Sequence, residues 1–246
     1  MKLIRLIYVC AGVLAASCVF NSCNDSEGYS LDNVWYSMAT VVPSDDSPAY
    51  HLRLDRGTTL WPAASSIPWY APTEKHRALV YYTVLSDAFQ GYDHAVKVLD
   101  IRDVLTKPVA GDRGGENDSY YGTDPVRILD LWIGDGYLNV EFGFGYGGNV
   151  RHFINLVKRE GGDTPSCFEF RHNAYGDNVH VQSKGIVSFD LSSLEVEGED
   201  LQLVIRAKTP EGEKDYTVTY RPESSGSVAG SVERTLSGND FTDKLE

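Results

Sequence analysis

The punctuation of the hydrophobic pattern limits the fold of this chain more than any other feature. From Leu31 onward, apolar and polar residues alternate over short stretches, and clusters of Gly, Pro, Asn and Asp end each stretch before it reaches helical length. The segments 33–42, 50–59, 77–85 and 94–104 form a first set of strand-like runs. A second set runs through 126–133, 137–146, 150–157, 167–172, 186–191, 201–208 and 215–221. Leu201, Leu203 and Ile205 share one face of a pleated strand, as do Tyr216, Val218 and Tyr220. Gly134-Asp135-Gly136 and Pro210-Glu211-Gly212 lie between such runs and read as hairpin turns. The abundance of Tyr (15) over Met (2) points the same way. No period of about 20–50 residues repeats, which argues against a solenoid or propeller. The chain is expected to be all-β.

Between the two sets lies Gly111-Asp112-Arg113-Gly114-Gly115-Glu116-Asn117-Asp118-Ser119, too polar and glycine-rich to bury. It is expected to be a domain boundary or a long surface loop. The division places one domain over 31–115 and a second over 120–222, where seven short strands suit a β-sandwich. The stretch 223–246, with Ser224-Ser225-Gly226-Ser227, is expected to be a flexible tail.

The first residues carry an address. Lys2 and Arg5 precede an apolar run from Leu6 to Phe20, too short for the roughly 20 residues of a membrane-spanning helix and suited to a signal peptide over 1–22. The run ends at Asn21-Ser22-Cys23-Asn24-Asp25, which resembles a bacterial lipobox. Cys23 is the expected lipidation site because a polar, acidic tether (23–30) follows it. Cys18 follows Ala15-Ala16-Ser17 and is the alternative, although cleavage there would leave Val19 and Phe20 beyond the anchor. An ordinary secretory signal or simple anchor helix is the plainer alternative. Removing the leader, with its two cations and no acid, takes the formal charge from −13 to −15. So acidic a chain is not expected to bind nucleic acid, whose affinity comes largely from cationic contacts to phosphate. Lipidated Cys23 would leave Cys167 without a partner, so no disulfide is expected.

Cys23 with its tether, followed by Asp32-Asn33-Val34-Trp35-Tyr36-Ser37-Met38-Ala39-Thr40-Val41-Val42, resembles the start of the NigD-like lipoproteins of the Bacteroidetes. Phe153-Ile154-Asn155-Leu156-Val157 and Phe168-Glu169-Phe170-Arg171-His172-Asn173-Ala174 are similar to that family's C-terminal half. The resemblance spans roughly residues 30–222. It implies an N-terminal OB-like barrel followed by a C-terminal β-sandwich, and a loose association with bacteriocin immunity. It brings no catalytic residues with it.

Nothing in the sequence specifies an enzyme. Gly143, Gly145 and Gly148 spell G-x-G-x-x-G, but strand-like sequence follows where a dinucleotide site needs a helix. The expected reading is a strand whose bare glycines mark a bulge or the close approach of another backbone or a ligand. The six histidines lack metal-ligand spacing; His172 and His180 could meet Asp177 across a turn, yet the default is structural histidines and no metal. Cys167 enters an aromatic strand and is expected to be a buried hydrophobe. Gly226-Ser227-Val228-Ala229-Gly230 misplaces the serine of a nucleophile elbow. No catalytic residue and no cofactor is expected.

Candidate binding residues remain. Leu60-Trp61-Pro62 and Ile67-Pro68-Trp69-Tyr70-Ala71-Pro72 hold aromatics in a proline-rich connection. Trp61, Trp69 and Tyr70 are therefore candidate ligand-binding residues, as anchors for a sugar ring or a protein hot spot. The alternative is that they cap the barrel or fill the domain interface. The expected function is a non-enzymatic lipoprotein held on the membrane by its lipid, probing the periplasm or cell surface from the outer membrane. Its expected partner is a protein or peptide, as in bacteriocin immunity, or else a glycan in polysaccharide uptake or display.

Overall fold

The computed structural model describes residues 29–45, 48–148, 150–159, 166–194 and 200–221. Cys18, Cys23 and the stretch 223–246 lie outside them. The described residues form an OB barrel joined to a β-sandwich.

The barrel consists of β1 (Trp35–Pro43), β2 (Tyr50–Leu54), β3 (Thr59–Ser65), β4 (His76–Phe89) and β5 (Tyr92–Pro108). Its strands follow the order β3-β2-β1-β4-β5, and parallel pairing of β3 with β5 closes the ring. Closure requires long strands to bend. The β4–β5 ladder shifts register between Tyr81 and Tyr82 and again between Val84 and Ser86. The β3–β5 ladder shifts at Pro62, a residue unable to donate to a regular ladder. Ala39, Val41, Leu52, Leu60, Val80 and Val96 fill the barrel.

The sandwich consists of the end of β5 with β6 (Arg127–Gly134), β7 (Tyr137–Tyr146), β8 (Phe153–Lys158), β9 (Cys167–Asn173), β10 (Val181–Asp190), β11 (Leu201–Thr209) and β12 (Gly212–Tyr220). One sheet has the order β5-β10-β7-β6 and the other β12-β11-β9-β8. Phe142, Phe144, Phe170 and Phe189 from their inner faces are buried between them. Asp135 and Gly136, both with positive φ, make the two-residue turn joining β6 to β7.

β5 belongs to both halves. It pairs with β4 up to Val104, and from Leu105 to Pro108 it runs parallel to Val187–Asp190 of β10. The segment after it is organised rather than open: a 3₁₀ turn (Gly114–Glu116) leads into the one-turn helix α1 (Asn117–Tyr121). Tyr121 is buried and its hydroxyl donates to the Gly111 carbonyl at 2.9 Å. Most of 111–119 is nevertheless exposed, as its composition predicts.

The outer side of the barrel also packs on the sandwich. Met38, Leu79, Val104 and Ile186 form a small apolar cluster there, with Tyr36 and Trp132 against it. Beside it runs a polar network. The fully buried Arg77 guanidinium pairs with Asp55 and donates to Thr40 Oγ1 at 2.8 Å. Trp132 Nε1 donates to the second Asp55 oxygen at 2.7 Å, and Thr40 donates to Asp135. Asp135 also pairs with Arg53. Thus Asp55 and Arg77 of the barrel are tied directly to Trp132 and Asp135 of the sandwich. Gly134 is required at this point, because any Cβ would overlap the Asp55 carboxylate.

Candidate functional site

The three aromatics expected to bind a ligand occupy different environments. Tyr70 folds inward at the barrel end, its ring 5.4 Å from that of Tyr50. Its hydroxyl donates to Asp103 Oδ1 at 2.7 Å. His76 donates to the same oxygen through Nε2 at 3.0 Å and to the Glu74 carbonyl through Nδ1 at 2.8 Å. Burial, then the Asp103 bond, raises the Tyr70 pKa. Burial pulls His76 down, but Asp103 and the Glu74 carbonyl outweigh it and the net shift is upward. Both nitrogens donate, as in an imidazolium. Trp69, one residue before Tyr70, is 76 % exposed. Trp61 lies on β3, half-buried, its ring 5.2 Å from that of Tyr92 with planes 31° apart. His51 flanks Tyr92 on the other side at 5.4 Å. The row His51–Tyr92–Trp61 was not legible in the sequence, because its members come from β2, β5 and β3.

The glycines of β7 accommodate a close approach. A Cβ on Gly145 would strike the Val179 side chain, and one on Gly147 would strike the Asn178 carbonyl and Asp177. Gly143, by contrast, has nothing nearer than the Ser183 carbonyl at 3.8 Å. The neighbour of Gly145 and Gly147 is the chain's own 177–179 segment, and among the described residues the next element after the motif is the strand β8, where a dinucleotide site requires a helix.

That segment is pinned from beneath. Asp177 Oδ2 accepts from the Gly147 amide at 2.6 Å and from His152 Nε2 at 3.2 Å. His152 Nδ1 in turn lies 2.9 Å from His172 Nε2. All three side chains are buried, with Phe144 and Tyr146 packed around His152. Burial, and then the neighbouring His152, push His172 down to about 4. The three groups form a line in which Asp177 and His172 bind opposite nitrogens of His152, so they do not converge on one point. Among the described residues no group of three His, Cys, Asp or Glu is placed to hold a metal. His180, read beside His172 in the sequence, is exposed. Its place in the cluster is taken by His152.

A polar cleft of ≈ 320 Å³ opens on the outer face of the β9–β11 sheet. Its two arginines are both held by carboxylates: Arg171 bonds Asp118 at 2.7 Å and pairs with Glu169, and Arg206 is held by the neighbouring Asp215 at 2.7 Å. His172 contributes to the wall, but strand alternation turns its ring into the sandwich with Phe168 and Phe170. Cys167, expected inside, is half-buried at the start of β9.

The architecture defines a two-domain all-β protein, an OB barrel followed by a β-sandwich. The NigD-like N-terminal OB domain matches residues 38–104 and the NigD-like C-terminal beta sandwich domain matches 108–220. The chain belongs to the NigD-like family. A crystal structure of a toxin-related protein from Parabacteroides distasonis ATCC 8503 is 45% identical, with TM-score 0.72, covering 77% of this chain and 94% of that one. A protein of unknown function from Bacteroides vulgatus ATCC 8482 is 26% identical with TM-score 0.66, covering 87% of this chain and 100% of that one. A NigD-like immunity protein from Bacteroides caccae ATCC 43185 shares the fold at 20% identity and TM-score 0.62, over 78% of this chain and 99% of that one. No curated protein matches the chain.

Proposed function

We propose that this protein is a non-enzymatic lipoprotein of the cell envelope, anchored at Cys23 to the outer membrane, whose task is to bind a polypeptide in bacteriocin immunity. The observation that carries this reading is the 45% identity, over most of both chains, to a protein described as toxin-related, within a family defined by the NigD likeness. Physical features support it. The formal charge of −13 favours encounter with a basic or amphipathic peptide, an attraction that salt screens. Trp69 projects from the β3–β4 connection next to Tyr70, whose bonds to Asp103 and His76 fix the backbone that carries it. A fixed, exposed Trp suits an interface anchor. Catalysis has no comparable support: both arginines of the charged cleft are held by carboxylates and the buried histidines lie inside the sandwich.

The test is protection. The protein is expressed in a strain killed by a competitor's culture fluid, beside a Cys23→Ala variant that keeps the export signal and loses the anchor. Survival with the wild type and its loss with Cys23→Ala is the expected result. Equal killing of cells with and without the wild-type protein, across fluids from toxin-producing competitors, contradicts immunity.

A further inference from the structure

We propose that the outer face of the β2–β3 pair is a binding site for a neutral glycan chain, separate from the polypeptide partner argued above. β2 turns Leu52 into the barrel and β3 turns Leu60 into it, so His51, Thr59 and Trp61 face outward. The register that pairs Leu52 with Leu60 brings His51 alongside Trp61. Tyr92, at the start of β5, inserts its ring between them at 5.4 and 5.2 Å. All three rings are half-buried, so each is held by its neighbours yet reaches solvent.

A second set of contacts fixes this row. Asp93 Oδ2 accepts from the Thr59 amide at 2.7 Å and from Thr59 Oγ1 at 2.8 Å. The Asp93 amide returns a bond to Thr59 Oγ1 at 3.1 Å. This clamp joins the residue next to Tyr92 to the residue two before Trp61, on the same outward face. Rings whose backbones are cross-tied lose little freedom on binding, a cost that loosely held aromatics incur.

The chemistry selects the occupant. A pyranose offers a C–H face to an aromatic ring and hydroxyls to polar neighbours; here Trp61 and Tyr92 meet the first need, Asp93, Thr59 and His51 the second. The equivalent face of OB barrels is where oligosaccharides and oligonucleotides bind. The formal charge of −13, with exposed Asp93 at the site, opposes nucleic acids and acidic polysaccharides and leaves an uncharged glycan.

The experiment is affinity electrophoresis of the protein through gels containing a β-1,3-glucan, an α-mannan or a β-1,4-galactan. At least one polymer is expected to retard the wild type. Retardation is expected to vanish in Trp61→Ala and to need roughly fivefold more polymer in Tyr92→Ala, as about 1 kcal/mol per lost ring contact implies. Trp61→Phe keeps a ring and the fold, and is expected to keep part of the effect; Trp69→Ala is expected to match the wild type. Retardation by none of the three polymers overturns the site. So does equal retardation of wild type, Trp61→Ala and Tyr92→Ala, or loss confined to Trp69→Ala. Immunity is untouched by either result, since it is scored by survival.

Discussion

At the residue scale, two small features set how the far end of β7 behaves. Gly147 lies against the Asn178 carbonyl, whereas Gly143 has room for a methyl group. Gly147→Ala is expected to destabilise the protein by about 1–3 kcal/mol, as overpacking does, and Gly143→Ala by less than about 1 kcal/mol. Urea unfolding of the two variants checks the contrast. The buried His152–His172–Asp177 line makes this region sensitive to acid. His172 is held neutral down to about 4, while an unfolded histidine takes up a proton near 6.5. Between these values the unfolded state binds more protons, so stability is full above about pH 6.5 and falls by about 3 kcal/mol as pH drops towards 4. His172→Asn is expected to flatten this part of the stability profile; an unchanged slope contradicts the assignment. The sequence pointed to His172 and Asp177 but paired them with His180. The true partner, His152, lies just before β8, twenty residues from His172, and chain proximity carries no signal for it.

At the scale of elements, regular strands were legible and irregular ones were not. Tyr137–Tyr146 alternates cleanly and is strand over that whole range. β3 was hidden because Pro62 and the neighbouring aromatics read as a connection, while the strand tolerates Pro62 at a register shift. β10 begins at Val181, five residues before the apolar run that marks it, because its first half carries the polar Gln182 and Lys184. The joint between the halves was also invisible. Arg77, Asp55, Thr40, Asp135 and Trp132 come from separated segments, and nothing in any one of them announces a buried charge. Arg77→Met is expected to cost about 3–5 kcal/mol, since it leaves the buried face of Asp55 without its cation. Combining it with Asp55→Asn is expected to recover part of that loss. A double-mutant cycle by chemical denaturation measures the coupling, and strict additivity would contradict a direct interaction.

At the scale of the whole molecule, the shared strand β5, the apolar cluster under Leu79 and the Arg77 network bind the barrel and the sandwich together. The protein is expected to unfold in a single calorimetric transition; two separated transitions would show that the halves are independent. A rigid body of this kind presents the barrel's aromatic row and the exposed Trp69 in a fixed relation to the sandwich. The polar stretch 111–119 between two sets of strand-like runs made the two-part architecture legible, and the family resemblance gave the order of its halves. What the surface recognises depends on three-dimensional juxtaposition and on a partner, and neither is encoded locally. The most direct test of the binding role is affinity capture with the chain starting at Asn24. It is exposed to competitor culture fluid and to envelope extract, and retained material is analysed for polypeptide and glycan at low and high salt. A polypeptide retained in stoichiometric amount, and released as salt rises, is the predicted result. Retention of no polypeptide, or of one indifferent to salt, would contradict the electrostatically guided binding proposed for this protein.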